Sequence, residues 1–465
     1  MAESAHETIP RRRPARESAA RTYPRALPIV PVRARGLTIE GADGRRHLDC
    51  HSGAGTLVLG HNHPVVLEAT RRVLDSGAPL HVPDHATPVE DAFVTELLGT
   101  LPPGLAGHAR VRFCGPGEGD AVRTALRLVR AATGRTEILA LTCARACHGA
   151  TAWAESGLDG LRSGTPRPAG VLLEPVGYEG GVLPAPDAWT RRVRQLTAAR
   201  SVPLIADESH TGVGRTGAFW AVEHSGVTPD VMVLSGAVGG SLPLAAVVHR
   251  DDLGAAGPGT PSGALRGNQL AMAAGAATLS YVRANGLARR AAVLGARMLD
   301  RLRGLAAEFP CVGDVRGRGL MIGVELVDAD ADGDGDGDGD GEGERDRPGP
   351  AGLVEPVVAA SRPPVPALAL AGSHRPAPGL ALAGSRRPAP GLALAVRREC
   401  LRRGLVVETG GRHAGEVRLL PPLTISDEQA AAVLDRLADA LAAARDRTGR
   451  HGPPYPPGNL SRPAS

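Results

Sequence analysis

The sequence predicts an α/β protein with a large, mostly parallel sheet covered by helices and a smaller α/β domain closing on it. Three observations carry this. Short β-branched or apolar runs alternate with helical stretches through the middle of the chain, the pattern of strands buried between helix layers. The chain is 465 residues long and 42% hydrophobic, enough for one large core and a smaller one. Near residue 287 the alternation gives way to a long amphipathic helix and then to a strand pair, strands and a final helix.

The strand runs are Val111–Cys114, Ile138–Thr142, Gly170–Leu173, Pro203–Asp207, Val231–Ser235 and Leu244–His249, interleaved with helices near Asp120–Ala132, Asp187–Ala199 and Gly267–Ala284. Leu287, Ala291, Leu294, Met298, Leu302 and Leu305 recur at helical spacing and predict a long connector. GDVRGRGLMIGVELVD reads as a strand pair, and the stretch from Leu401 to Ala444 as two strands and a helix capped near Ser426. Between them, 329–391 combines an Asp-Gly alternation with a near-repeat of LALAGS and RPAPG, a low-complexity insertion whose composition cannot bury a core. Its strict two-residue period lacks the ligand spacing of calcium loops. Residues 1–16 and 447–465 are rich in Pro, Arg and small residues and are expected to be disordered ends.

The chain has 53 basic and 49 acidic residues, a net +4, and contains no lysine, so every basic residue is arginine. That mild balance names no charged partner, and Arg11-Arg12-Arg13 has no aromatic interleaving, so nucleic acid is not expected. Six cysteines without a CxxC pair predict reduced, mostly buried thiols. Cys143, Cys147 and His148 match no common metal spacing, and no metal is expected. No apolar run approaches the roughly 18 residues that span a bilayer, and the arginine-rich start has no apolar segment behind it. The expectation is a cytoplasmic protein with no membrane partner.

Nine phrases, in order, carry a resemblance: ESAARTYPRALP, LDCHSGAGTLVLGHNHP, VRFCGPGEGDAVRTALRLVRAATGR, LLEPVGYEGG, LIADESHTGVGRTGAF, PDVMVLSGAVGGSLPLA, SGALRGNQLA, VRGRGLMIGVE and RGLVVET with VRLLPPLTI. Together they resemble the fold-type-I, class III aminotransferases, most closely the diaminobutyrate–2-oxoglutarate branch. The resemblance implies a small domain from 17–67 with 301–328 and 392–446, a large cofactor-type domain over 68–300, and a homodimer or association with a related aminotransferase. It also implies pyridoxal phosphate, held covalently on a lysine whose freed amine moves the proton.

The position of that lysine matches Gly236 in LSGAVGG, which supplies neither nucleophile nor base. Asp207 matches the carboxylate facing the pyridine nitrogen, its alternative reading being a strand-end cap. His210 stands where the family has a glutamine at the phenolic oxygen; it is either a surrogate base or a tolerated polar replacement. The phosphate cup matches Gly115-Pro116-Gly117-Glu118-Gly119-Asp120, where hydroxyls are gone from Gly117 and Gly119, and where Glu118 and Asp120 cap a helix and oppose phosphate. Ala264 matches the partner subunit's phosphate-binding threonine. Cys147, before His148, matches the ring-stacking aromatic. The stretch from Thr151 to Leu172 is shorter than the family's. Glu179 and Arg418 match the pair that admits first an amino donor and then a dicarboxylate; otherwise they are a salt bridge between domains.

The sequence therefore predicts a catalytically degenerate homologue that binds pyridoxal phosphate weakly and noncovalently, or not at all, and acts as a binding or regulatory partner or is a decaying paralogue. Two alternatives stay open. One is a transaminase passing an amino group from L-2,4-diaminobutyrate to 2-oxoglutarate; the other is an enzyme using noncovalent pyridoxal or pyridoxamine phosphate with a histidine base.

Overall fold

The computed structural model describes residues 27–82, 85–141, 155–255, 265–328, 387–411 and 413–448. The chain opens with an antiparallel meander of β1 (Pro31–Arg35), β2 (Thr38–Gly41) and β3 (Arg46–Asp49), then α1 (Pro64–Asp75), α2 (Pro88–Leu98) and the short α3 (Pro103–Ala106). The central stretch begins with β4 (Ala109–Phe113), α4 (Glu118–Thr133), β5 (Ile138–Leu141), β6 (Gly170–Leu173), β7 (Val176–Gly177) and β8 (Leu183–Pro184). It continues with α5 (Asp187–Ala199), β9 (Leu204–Asp207), β10 (Val231–Ser235), β11 (Ala245–Arg250) and α6 (Gln269–Ala284). The last stretch is α7 (Leu287–Glu308), β12 (Val312–Arg318), β13 (Met321–Leu326), α8 (Pro390–Arg402), β14 (Leu405–Val406), β15 (Glu408–Gly410), β16 (Glu416–Leu419) and α9 (Asp427–Thr448).

The six-stranded sheet has the order β4-β11-β10-β9-β6-β5. β5, β6, β9 and β10 run parallel, while β10 with β11 and β11 with β4 are antiparallel. The expectation of a mostly parallel sheet holds, β4 running with the parallel set and β11 alone opposed, because β11 returns directly from β10 through a short Gly-rich turn and needs no helical crossover. Helices cover both faces. Ala121, Ala125, Leu126 and Val129 of α4 pack with Ile205, Val231, Val233 and Val247 on one side. Trp189 and Val193 of α5 pack with Val171, Leu173 and Leu204 on the other. Burying each such Val or Leu is worth about 1.5–3 kcal/mol.

The parallel strands end together, so the residues that follow β6, β9 and β10 meet at one crevice, the usual ligand position in an open α/β sheet. A second sheet, β1-β2-β3-β14, joins both ends of the chain, with Leu405 opposite Leu48. A third, β12-β13-β16-β15, sits beside the crevice. α9 starts in a reciprocal cap: Ser426 Oγ accepts from Gln429 N at 3.1 Å and Gln429 Oε1 accepts from Ser426 N at 3.0 Å.

One boundary moves. The stretch assigned to the insertion ends inside α8, which begins at Pro390 and uses the third LALA copy, Leu392–Ala395, as its first turns. Pro at the first position and burial of Ala393 and Val396 turn a repeat unit into a packed helix. The ranges 1–16 and 449–465, most of 329–391, and Cys143, Cys147, His148, Thr151 and Ala264 lie outside the described residues. Cys50, Cys114, Cys311 and Cys400 are free and buried. No helix among the described residues is long and apolar enough to cross a membrane, and no group of three metal-binding side chains occurs among them.

Candidate functional site

Asp207 closes β9, Glu174 follows β6 and Gly236 follows β10, and the topology places all three at the carboxyl end of the parallel strands. Alternation along β9 sends the two adjacent carboxylates apart. Glu208 is buried and accepts from the backbone of Ala221 at 3.0 Å and Val222 at 2.9 Å and from the Thr211 hydroxyl, so it anchors the loop behind the site. Asp207 accepts from Ser209 N at 3.1 Å, and burial, with Glu118 nearby, raises its pKa.

His210 is the centre of the arrangement. Its ring stacks on Tyr178 with centroids 4.3 Å apart and planes at 25°, and its Nε2 lies 3.1 Å from Glu118 Oε2. Glu118 is the first residue of α4. The pairing with His210 lowers the Glu118 pKa; burial works against protonation of His210, yet the Glu118 carboxylate more than offsets it and the imidazole pKa is raised. Each partner thus favours the charged form of the other.

On the other face of Tyr178 the Arg418 guanidinium carbon sits 4.2 Å from the ring centroid, a cation–π contact. Arg418 is almost wholly buried, and its Nε donates to Glu416 Oε1 at 2.9 Å. Glu416 also accepts from Arg316 Nη2 at 2.9 Å. The expected Glu179–Arg418 ion pair takes a different form. Glu179 offers Arg418 only its backbone carbonyl, at 3.5 Å, while its exposed side chain stands apart. The partner of Arg418 is two residues away on the same face of β16. The Tyr178 hydroxyl donates to Glu408, and His51 Nδ1 lies 3.5 Å from that carboxylate.

Of the residues singled out from sequence, Asp207, His210 and Glu118 come together, Glu179 and Arg418 border them through Tyr178, and Gly236 lies at the same strand ends. Gly117 precedes α4 as its cap residue with no side chain to offer. Tyr178, Glu174 and Thr56 were missed. Tyr178 is one of only four tyrosines, set inside LLEPVGYEGG, and that scarcity was the available signal. Thr56 lies 180 positions before Gly236 in the chain, and only the fold brings them together, with a Cβ built on Gly236 falling 2.8 Å from Thr56 Cγ2.

Glu174 is pushed up to about 8 by burial and by Asp207, with Glu118 and Glu179 adding and His210 opposing. A carboxyl that keeps its proton in the folded chain and loses it in the unfolded one destabilises the fold as pH rises. Stability is therefore expected to fall between about pH 4.5 and about pH 8, and Glu174→Gln is expected to flatten that slope and raise Tm at pH 8. A thermal-unfolding series across this range checks it; an unchanged slope in the variant refutes the assignment.

Residues 19–159 and 157–335, more than half of the chain, match the family Aminotransferase class-III. The chain is similar to the diaminobutyrate–2-oxoglutarate aminotransferase of Rhizobium meliloti, 40% identical over 483 residues, covering 94% of this chain and 92% of that protein. A second relative, the Haemophilus influenzae diaminobutyrate–2-oxoglutarate aminotransferase, is 38% identical and covers 67% of this chain and 78% of its own length. Among solved structures, the ornithine aminotransferase of Toxoplasma gondii ME49 superposes with a TM-score of 0.69 at 23% identity, covering 91% of this chain and 92% of that one. The likeness in fold extends to the acetylornithine aminotransferase of Elizabethkingia anophelis, TM-score 0.67 at 21% identity, covering 92% and 96%.

Proposed function

From the premise that this chain belongs to the class-III aminotransferase family, we propose that it keeps the family's frame and ligand pocket but has given up lysine-dependent amino-group transfer. The observation that carries this is the absence of lysine from all 465 residues. Gly236, following β10 at the crevice, has a φ of +63° and no side chain. A chain without a lysine amine cannot hold a carbonyl cofactor covalently through a side chain, nor use that amine to move a proton.

Class III aminotransferases use pyridoxal phosphate, and the described residues fit it poorly. The cup before α4 offers two carboxylates and no hydroxyl. A Cβ on Gly115 would fall 2.4 Å from Asp120 Oδ2, so that carboxylate fills the space the glycine leaves. Binding is accordingly weak and noncovalent, or lost, and the protein acts by binding, as a homodimer or with a related aminotransferase.

The names of the relatives favour a second reading, in which this chain too exchanges an amino group between L-2,4-diaminobutyrate and 2-oxoglutarate. Here that reaction would need a dissociable cofactor and a base other than lysine, and His210, tied to Glu118, is the candidate among the described residues.

The test is a cofactor titration of the full chain, read by absorbance before and after dialysis, with borohydride fixation and a glutamate-forming assay on diaminobutyrate. The expected result is no retained absorbance and no turnover. Turnover with a dialysable cofactor establishes the second reading, and a stoichiometric borohydride-fixed adduct overturns the proposal.

A further inference from the structure

We infer that Glu118, pinned by His210, is a built-in anion at the start of α4 that excludes phosphate from this pocket, so that the site selects ligands without a phosphate group. The inference rests on the class-III reading above and deepens it. The first turn of a 16-residue helix presents free backbone N–H groups and the positive end of its dipole, and a phosphate there is ordinarily welcome. In this chain that position is already committed twice.

Glu118 Oε2 lies 3.1 Å from His210 Nε2, and the imidazole is in turn fixed by its stack on Tyr178. Asp120 pairs with Arg123 on the same helix, and the same carboxylate occupies the room that a side chain at Gly115 would take. Among the described residues, the His210 imidazole and the Arg123 guanidinium near this end of α4 thus each have a carboxylate partner. A phosphate dianion arriving here meets two carboxylates, and the imidazole and guanidinium that could receive it are already paired. The fixed imidazole differs from an exposed surface pair, since a ligand must break both a stack and an ion pair to recruit it.

The geometry separates charge from shape. Glu118→Gln keeps the size of the side chain and removes the charge; Glu118→Ser removes both and leaves a hydroxyl suited to a helix start. His210→Gln removes the imidazole and leaves the Glu118 carboxylate in place. The probes are inorganic phosphate and pyridoxal phosphate, titrated into the full-length protein by calorimetry, with Tm and far-UV circular dichroism confirming the fold of each variant.

Wild type and His210→Gln are expected to bind both probes weakly and alike, while Glu118→Gln and Glu118→Ser bind phosphate and pyridoxal phosphate at least about tenfold more tightly. Folded Glu118 variants with unchanged affinity overturn the inference, as does tight phosphate binding by the wild type. The two readings fail separately. Wild type that binds pyridoxal phosphate tightly but releases it on dialysis and turns nothing over removes the Glu118 inference and leaves the lysine-free reading standing, whereas covalent fixation removes the latter.

Discussion

Gly236→Lys alone is expected to leave diaminobutyrate-dependent glutamate formation at background. Three features of the site oppose the restored amine. The backbone at Gly236 has φ +63°, a left-handed conformation that costs an L residue about 1–2 kcal/mol. The new Cβ would lie 2.8 Å from Thr56 Cγ2, and Thr56 is itself held by a 2.8 Å hydrogen bond from its hydroxyl to Gly53 O, so the loop must give way before the side chain can extend. The amine would then enter a crevice bordered by Glu118, Glu174 and Asp207, where burial and then the neighbouring Asp207 carboxylate drive Glu174 up to about 8. Such surroundings favour the ammonium form, which is not a nucleophile. Relief of the Thr56 contact and of the Glu118 charge addresses the second and third obstacles, so Gly236→Lys with Thr56→Gly and Glu118→Ser is the combination expected to bind cofactor better than the single variant. A steady-state assay decides the matter, and turnover of the single variant at the level of an active relative would mean the pocket is far more intact than its charges indicate.

The strands and helices that build the crevice were legible because their signals are local. The β-branched run Val231–Ser235 and the amphipathic period of Asp187–Ala199 give the same bounds in sequence and structure. The cap at Ser426 likewise depends on residues three apart. What escaped depends on contacts between distant segments. The stack of Tyr178 on His210 needs the turn between β7 and β8 to present the phenol to the loop after β9. The commitment of Arg418 to Glu416 had a signal in the alternation Glu416-Val417-Arg418, which puts both side chains on one face, but only the packing of β13 and β15 against β16 shows that this face is buried with Arg316 beside it. The direction of β11 was illegible for another reason: an apolar run reads alike in parallel and antiparallel pairing. The absence of lysine, on which the proposed loss of amino-group transfer rests, is in contrast a fact of composition alone.

Arg215→Ala is expected to be the most damaging single substitution for stability, at about 3–5 kcal/mol. This arginine, which the sequence marks only by its place in Gly214-Arg215-Thr216-Gly217, is 1% exposed and has no carboxylate partner among the described residues. Its Nη1 donates to Leu320 O at 3.2 Å and to Pro421 O, and its Nη2 to Gly55 O at 3.0 Å, so one guanidinium ties the loop before α1, the β12–β13 turn and the segment after β16. Burial drives its pKa down to about 10, the mark of a charge held by carbonyl dipoles alone. Removing it leaves three acceptors without their donor and a cavity where segments from three parts of the chain meet, and those segments pack too closely for easy repair, since a Cβ on Gly319 would come within 2.4 Å of the Thr216 carbonyl carbon. Arg215→Lys should recover less than half the loss, because one ammonium on a flexible stem cannot span directions set by a planar fork. Urea unfolding at neutral pH with an unchanged m-value measures both variants. A loss below about 1 kcal/mol for Arg215→Ala would show that water replaces the guanidinium at all three carbonyls; a large loss shared by both substitutions would identify the fork itself, rather than its charge, as what joins the crevice to the strands beside it.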